Sequence, residues 1–302
     1  MKACAPGKLV LSGAYSVLEG APALVTAVDR YVCCDAAQPA SIATPEVLAA
    51  LSGAAAPAFD ASALRSGGRK LGLGSSAAIL VASLAAADPR AFPSDQELRQ
   101  AIFEPALAAH RHAQGGGSGI DVAASTWGGT LLARRGADGD LELEPLRLPA
   151  ALVLEAWASE AAASTAEFLR AVAGFRARSP AGHAALFGEL RAAAERAAAA
   201  FRDGRLPDLI GHLEQQRAGF VALGQAAGIP IVTPEADRLS RAAGPGAVVF
   251  PSGAGGGDIV LWLSDRPSPR EFRDLAGALG HHLLPLTIHA RGVYRCAPES
   301  TP

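Results

Sequence analysis

The sequence predicts an α+β chain: antiparallel strands and helices packed as a sandwich, with a ferredoxin-like second half. Three observations predict it. The first quarter alternates short apolar runs with turn residues, the middle is Ala-rich with helical periodicity, and the second half reads strand, helix, strand, strand, helix, strand around inserted helices.

In chain order, apolar runs at 4–5, 8–11, 24–28 and 31–34 predict four short strands of an antiparallel sheet. Residues 36–68 are rich in Ala, Pro, Ser and Gly and predict an excursion with a helical turn at 45–51. A small-residue helix follows at 75–87. A second at 94–112 is capped by Ser94 or Asp95, with Glu97 in its first turn, and another helix starts after the glycine run 115–119. The segments 130–133 and 141–148, separated by GADGD, predict a hairpin that closes a first half, 1–150. The second half, 151–302, starts with a strand at 152–157 and three Ala-rich helices at 164–177, 181–202 and 206–225. It continues with a helix at 234–243, strands at 247–250 and 259–263, a helix at 268–279 and a last strand at 283–289.

Composition narrows the function. The 302 residues are half apolar, enough for a sizeable core, and 27 Lys plus Arg against 29 Asp plus Glu leave a net charge of −2. This charge carries no footprint for nucleic acid or an anionic membrane, so the expected partner is a small molecule. Four cysteines (Cys4, Cys33, Cys34, Cys296) show no CxxC spacing. The adjacent pair would bridge only with strain, so reduced thiols are expected rather than a zinc site or a disulfide framework. No signal-peptide pattern opens the chain and no run of about 18 apolar residues occurs, which predicts a soluble cytoplasmic protein, monomeric or homodimeric.

Three glycine-rich segments carry the chemistry. KLGLGSSAAILVASLAA (70–86) runs a glycine loop directly into a helix, so unpaired N–H groups and the positive end of the helix dipole converge as a phosphate would require. Ser75 and Ser76 add hydroxyls there. The segment lacks the GK[ST] of a Walker loop, and a simple serine-capped glycine turn is the competing reading. PSGAGGGDIVLWL (251–263) places four glycines before a strand, which lets backbone approach a ligand closely. APGKLVLSGAYSVLEGAPALVTAVDRYV (5–32) sets Lys8 on a β-segment, where it acts as a point charge if a phosphate lies near and is a solvated lysine otherwise.

In this order the three segments resemble the signature motifs of the GHMP kinases, the superfamily of galactokinase, homoserine kinase, mevalonate kinase and phosphomevalonate kinase. The resemblance runs from Ala5 to about Gly292, and only in pattern through the helical stretch 166–240. It implies the GHMP kinase fold, with an N-terminal half like ribosomal protein S5 and a ferredoxin-like C-terminal half. Gly13, Ala14 and Tyr15, the AVDRYV ending, and AHRHAQGGGSGIDVAASTWGG (109–129) are most similar to the phosphomevalonate kinase group. What this implies is ATP- and Mg²⁺-dependent phosphorylation of phosphomevalonate to diphosphomevalonate, in the mevalonate route to isoprenoids.

Carried over by position, Lys8 and Asp121 are the catalytic pair. Gly72, Leu73, Gly74, Ser75, Ser76 and Ala77 bind ATP, with Gly253, Ala254 and Gly255 of the third motif, and Ser76 meets the metal. Tyr15, Ser118, Gly119, Ser164, Thr165, Gly256 and Asp258 fall near the acceptor. With an anionic phosphate as nucleophile Asp121 needs only to position Lys8 or the substrate, whereas with an alcohol it would take the proton. Arg30, Arg69 and Arg291 are candidates to hold the acceptor's anionic groups. One departure stands out: the glutamate that mevalonate kinases use as a second metal ligand falls here on His110, which, like His112, reads as a structural histidine. The alternatives are a mevalonate kinase or another alcohol kinase of the superfamily, and a non-catalytic ligand-binding member.

Overall fold

The computed structural model describes residues 1–136, 138–159 and 165–296. The chain opens with two long antiparallel strands, β1 (Lys2–Ser12) and β2 (Ala23–Pro39), joined through a 3-10 turn at Ser16–Glu19. The four short runs expected here are two continuous strands. The break seen in the sequence at Pro6–Gly7 is a shift of register inside the β1–β2 ladder, a bulge that bends the strand without ending it. After α1 (Pro45–Leu51) come β3 (Pro57–Asp60), a 3-10 turn at Ser62–Leu64, and the two-residue pair β4 (Arg65–Ser66) and β5 (Arg69–Lys70). Then follow α2 (Ser75–Ala87), α3 (Asp95–Gln114), α4 (Ile120–Trp127) and the hairpin β6 (Thr130–Arg135) and β7 (Leu141–Leu146). Ser94 caps α3 as expected, its Oγ accepting from Glu97 N at 3.3 Å.

The remaining elements are β8 (Val153–Ser159), α5 (Thr165–Arg178), α6 (Pro180–Arg202), α7 (Leu206–Ala227), α8 (Pro234–Ala242), β9 (Ala247–Pro251), β10 (Ile259–Ser264), α9 (Arg270–Ala278), β11 (His281–Leu283) and β12 (Tyr294–Arg295). Two main sheets result. The first has the order β12-β1-β2-β6-β7 with β3 also on β2, and the second has β11-β8-β10-β9. The last strand expected at 283–289 is corrected: β11 ends at Leu283, and the chain then crosses to the first sheet, where β12 pairs with β1. Pro285 helps explain the break, since it has no N–H to extend the ladder.

Strand β10 shows why the second sheet is covered on both sides. All six of its residues are buried. Ile259, Leu261 and Leu263 belong to the main core, while Val260 and Trp262 join Trp157, Leu239 and Phe272 in a second cluster beneath α8 and α9. A period of two therefore feeds two apolar layers, and the run IVLWL is uniformly apolar for that reason. In the first sheet, α2 packs on β1 and β2, which brings the glycine loop before α2 against β1.

The expectation of reduced thiols is overturned for one pair. Cys4 and Cys33 are directly opposed across the β1–β2 ladder, with Cα atoms 4.1 Å apart, and form a disulfide. The pairing depends on strand register, which the spacing of cysteines along the chain does not reveal. Among the described residues no helix is long and apolar enough to cross a membrane.

Candidate active site

Lys8 is built into the site from both sides. Its backbone N–H donates to Leu73 O at 2.9 Å, and its ammonium donates to Gly72 O at 3.3 Å, so β1 is bonded directly to the loop ahead of α2. That close approach requires glycine on both faces of the contact. A Cβ at Gly7 would lie 2.8 Å from Leu73 O, and one at Gly74, where φ is +76°, would lie 3.0 Å from Lys8 Cε and Cγ. Burial holds the Lys8 ammonium below the usual lysine range, opposed by the carboxylates of Asp121 and Asp258.

At the start of α2, Ser75 is buried and Ser76 Oγ donates to a carboxylate oxygen of Glu46. Glu46 sits in the first turn of α1, only 6% exposed, and also accepts from Gln114 Nε2 at 3.2 Å. Burial alone would raise its pKa, but hydrogen bonds from Ser76, its own amide, Gln114 and Thr44 outweigh this and hold the carboxyl below the usual range. A carboxylate and a serine hydroxyl together at a helix start fit Mg²⁺, which takes one or two protein oxygens and completes its shell with other oxygens and water. Sequence reasoning missed Glu46. Its signal was present, a Thr-Pro-Glu helix start, but nothing local says that this start lies against Ser76.

Beyond Lys8 lies a cavity of about 160 Å³. Ser118 and Asp121 reach it from the start of α4, His110 and Gln114 from α3, and Tyr15 from the first motif. Asp121 Oδ1 accepts from Val122 N at 3.0 Å, and Oδ2 is 3.4 Å from His110 Nε2. His110 is thus more than a core histidine, being buried behind Asp121 and lining the same cavity. Thr165 and Leu169 of α5, with Gly253 and Ala254, complete the wall from the second half of the chain.

The third glycine segment is pinned at three points. Ser252 Oγ accepts from Val10 N at 3.0 Å, Gly256 N donates to Ile231 O at 3.0 Å, and the Tyr15 hydroxyl donates to Ala254 O. Tyr15 makes that reach from a positive φ of 61°, a conformation costly for an aromatic residue, and burial keeps its phenol protonated as a donor.

The residues picked from sequence therefore divide. Lys8, Tyr15, Ser118, Asp121, Thr165, Gly253 and Ala254 share the cavity. Gly72 to Ala77 form the adjoining loop and helix start. Asp258 stands against that loop, its Oδ2 3.2 Å from where a Gly72 Cβ would be. Gly119 and Gly255 serve packing: a Cβ at Gly119 would meet Leu107 at 2.2 Å, and one at Gly255 would meet Ile231 O at 2.2 Å. Ser164 lies outside the described residues. The three arginines are elsewhere. Arg30 donates to Ala63 O and Pro285 O, Arg69 is exposed on β5, and Arg291 pairs with Asp95. Lys8 is the only Lys or Arg among the described residues lining the cavity.

A half-buried lysine shared between a glycine loop at a helix start and a cavity that Asp121 lines is an arrangement suited to phosphoryl transfer, and the comparisons agree. The model of the GHMP kinases N-terminal domain matches residues 48–129. The chain belongs to the GHMP kinases and has their α+β fold. It is most like phosphomevalonate kinases: it is 30% identical over 369 residues to the phosphomevalonate kinase of Streptomyces sp. strain CL190, covering 96% of this chain and 97% of that one. Among solved structures, the Streptococcus pneumoniae phosphomevalonate kinase in complex with phosphomevalonate and AMPPNP superposes with a TM-score of 0.76 at 19% identity, covering 95% of this chain and 99% of that one. The L. major mevalonate kinase in complex with R-mevalonate gives 0.66 at 20% identity, covering 97% of each chain.

Proposed function

We propose that this kinase transfers the γ-phosphoryl group of ATP to the phosphate of phosphomevalonate, giving diphosphomevalonate. The observation that carries the reading is the position of Lys8, bonded to Gly72 O on one side and lining the acceptor cavity on the other. A cation there faces the group in flight throughout the transfer, and its desolvation strengthens the field it applies. The unpaired N–H groups at the start of α2 hold the nucleotide phosphates. Ser76 and Glu46 hold Mg²⁺, which when bound offsets phosphate charge. We assign the nucleotide to the 1–150 half and the acceptor to the cavity between this half and 151–302.

Asp121 then has a positioning role. A phosphate monoester near neutral pH carries a charge of about −1.5 to −2 and attacks without a base. Asp121, held by Val122 N and beside His110, favours the charged form of Lys8 against the effect of burial. The same carboxylate beside Lys8 supports a second reading, phosphorylation of an alcohol such as mevalonate, with Asp121 taking its proton.

The test is ADP release with ATP and Mg²⁺ on phosphomevalonate, mevalonate, homoserine and galactose, for the wild type and Lys8→Ala. Turnover with phosphomevalonate alone, lost in the variant, is expected. Turnover with mevalonate instead would replace the first reading by the second, and no turnover on any of the four would sink both.

A further inference from the structure

Outside the active site, three sulfur atoms meet at one edge of the first sheet. We propose that Cys4, Cys33 and Cys296 form an intramolecular thiol–disulfide exchange centre, in which Cys4 is the shared sulfur and is linked alternately to Cys33 and to Cys296. The disulfide joins Cys4 to Cys33, and Cys296 Sγ is a free thiol 3.7 Å from Cys4 Sγ, about van der Waals contact. The juxtaposition is held by backbone rather than by chance side-chain placement. β12 pairs with β1 at Ala3↔Arg295 and Cys4↔Tyr294, and Cys296 N donates to Lys2 O at 3.0 Å.

The environments suit an exchange through Cys4. Cys4 is buried at 4% exposure, so outside reagents reach it poorly while Cys296 is already beside it. Cys33 is exposed, so the sulfur released on exchange is solvated. Cys34 takes no part: it faces the other side of the sheet, as strand alternation requires, and contacts Ser83 Oγ at 3.5 Å. In the step, the Cys296 thiolate attacks Cys4 Sγ and the Cys4–Cys33 bond breaks. The electron pair leaves on Cys33, which takes a proton from solvent in exchange for the one Cys296 gave up. One disulfide and one thiol are present before and after, so no oxidant or reductant is consumed. The covalent tie on β1 moves from β2 to the C-terminal strand. The centre is independent of the acceptor assigned above.

The experiment maps free thiols in the full chain. Cys33→Ser and wild-type protein are oxidised with diamide, freed of reagent, equilibrated at mildly alkaline pH, quenched with acid and alkylated in denaturant before peptide mass spectrometry. In Cys33→Ser, alkylation is expected to be lost at Cys4 and Cys296 together, with a Cys4–Cys296 linked peptide in its place and Cys34 still labelled. In the wild type, label is expected at both Cys33 and Cys296 and not at Cys4. Cys33→Ser that keeps label on both Cys4 and Cys296 after diamide overturns the proposal. Should that variant fail to fold, wild-type label confined to Cys296 and Cys34 overturns it instead.

Discussion

Replacing Gly74 by alanine separates a backbone cost from a catalytic one. Gly74 sits at φ +76°, so any L-residue there takes the left-handed penalty of about 1–2 kcal/mol. Spread over the unfolding entropy of a chain this long, at roughly 2.1 cal/mol/K per residue, that loss lowers Tm by about 2–3 °C. The new Cβ also falls 3.0 Å from Lys8 Cε and Cγ, inside normal contact distance, so the lysine must give by several tenths of an ångström. A displacement approaching 1 Å at a reacting group costs on the order of 100-fold in rate, so a fall of roughly 10- to 100-fold in kcat/KM is expected. Gly53→Ala is the matched control, since Gly53 has φ +93° and nothing within 4 Å of its added Cβ. Coupled ADP release and thermal unfolding on both variants decide the matter. Similar Tm losses with activity lost only in Gly74→Ala are expected. Gly74→Ala within about twofold of wild-type kcat/KM, at a Tm lowered like that of the control, would refute the claim that Lys8 position limits the rate.

Other outcomes follow from single contacts. Glu46→Gln keeps the size of the side chain but removes the charge against Ser76, so Mn²⁺ affinity, read by electron paramagnetic resonance in the presence of nucleotide, should fall about 10- to 100-fold, the scale of hydrogen bonds to a charged group. His110→Leu frees Asp121 from its 3.4 Å neighbour, and kcat should fall about tenfold with ATP affinity unchanged if that contact contributes about 1.4 kcal/mol. Tyr15→Phe cuts the bond to Ala254 O, and limited proteolysis near 253–257 should speed up roughly fivefold, as loss of about 1 kcal/mol of local restraint implies. Burial pushes the Cys34 thiol from 9.0 up to about 11. A group whose folded value is raised contributes stability below its unfolded value and loses it as pH climbs, so wild-type stability should decline between about pH 9 and 11, and less so in Cys34→Ser.

Much of this arrangement was legible in the sequence, and the exceptions share a cause. The loop and helix 70–87, the capped helix from Ser94, and the covered strand at 259–263 are encoded locally, by glycine, a cap and an apolar run. Lys8 and Asp121, which line one cavity, could be singled out because each sits inside such a motif. Glu46, the Cys4–Cys33 bond and the Asp121–His110 contact were hidden because each depends on which element packs against which, over separations of 30, 29 and 11 residues. His110 was read as structural because its helix position shows the core face but not the acid beyond it. The arginines are a different case. A charge pattern names residues able to hold an anion, and their distance from the cavity appears only once the chain is folded.

The crossing of the chain to β12 sets an order on how the protein is made. Strand β1, which carries Lys8, has the nearby β2 on one side, but its other neighbour is β12, at 294–295 and so translated much later. During synthesis the first sheet therefore carries an open edge on β1 until Tyr294 and Arg295 pair with it. Completing the sheet that carries Lys8 requires pairing between positions 4 and 294, a slow class of contact that leaves this side of β1 open to other strands meanwhile.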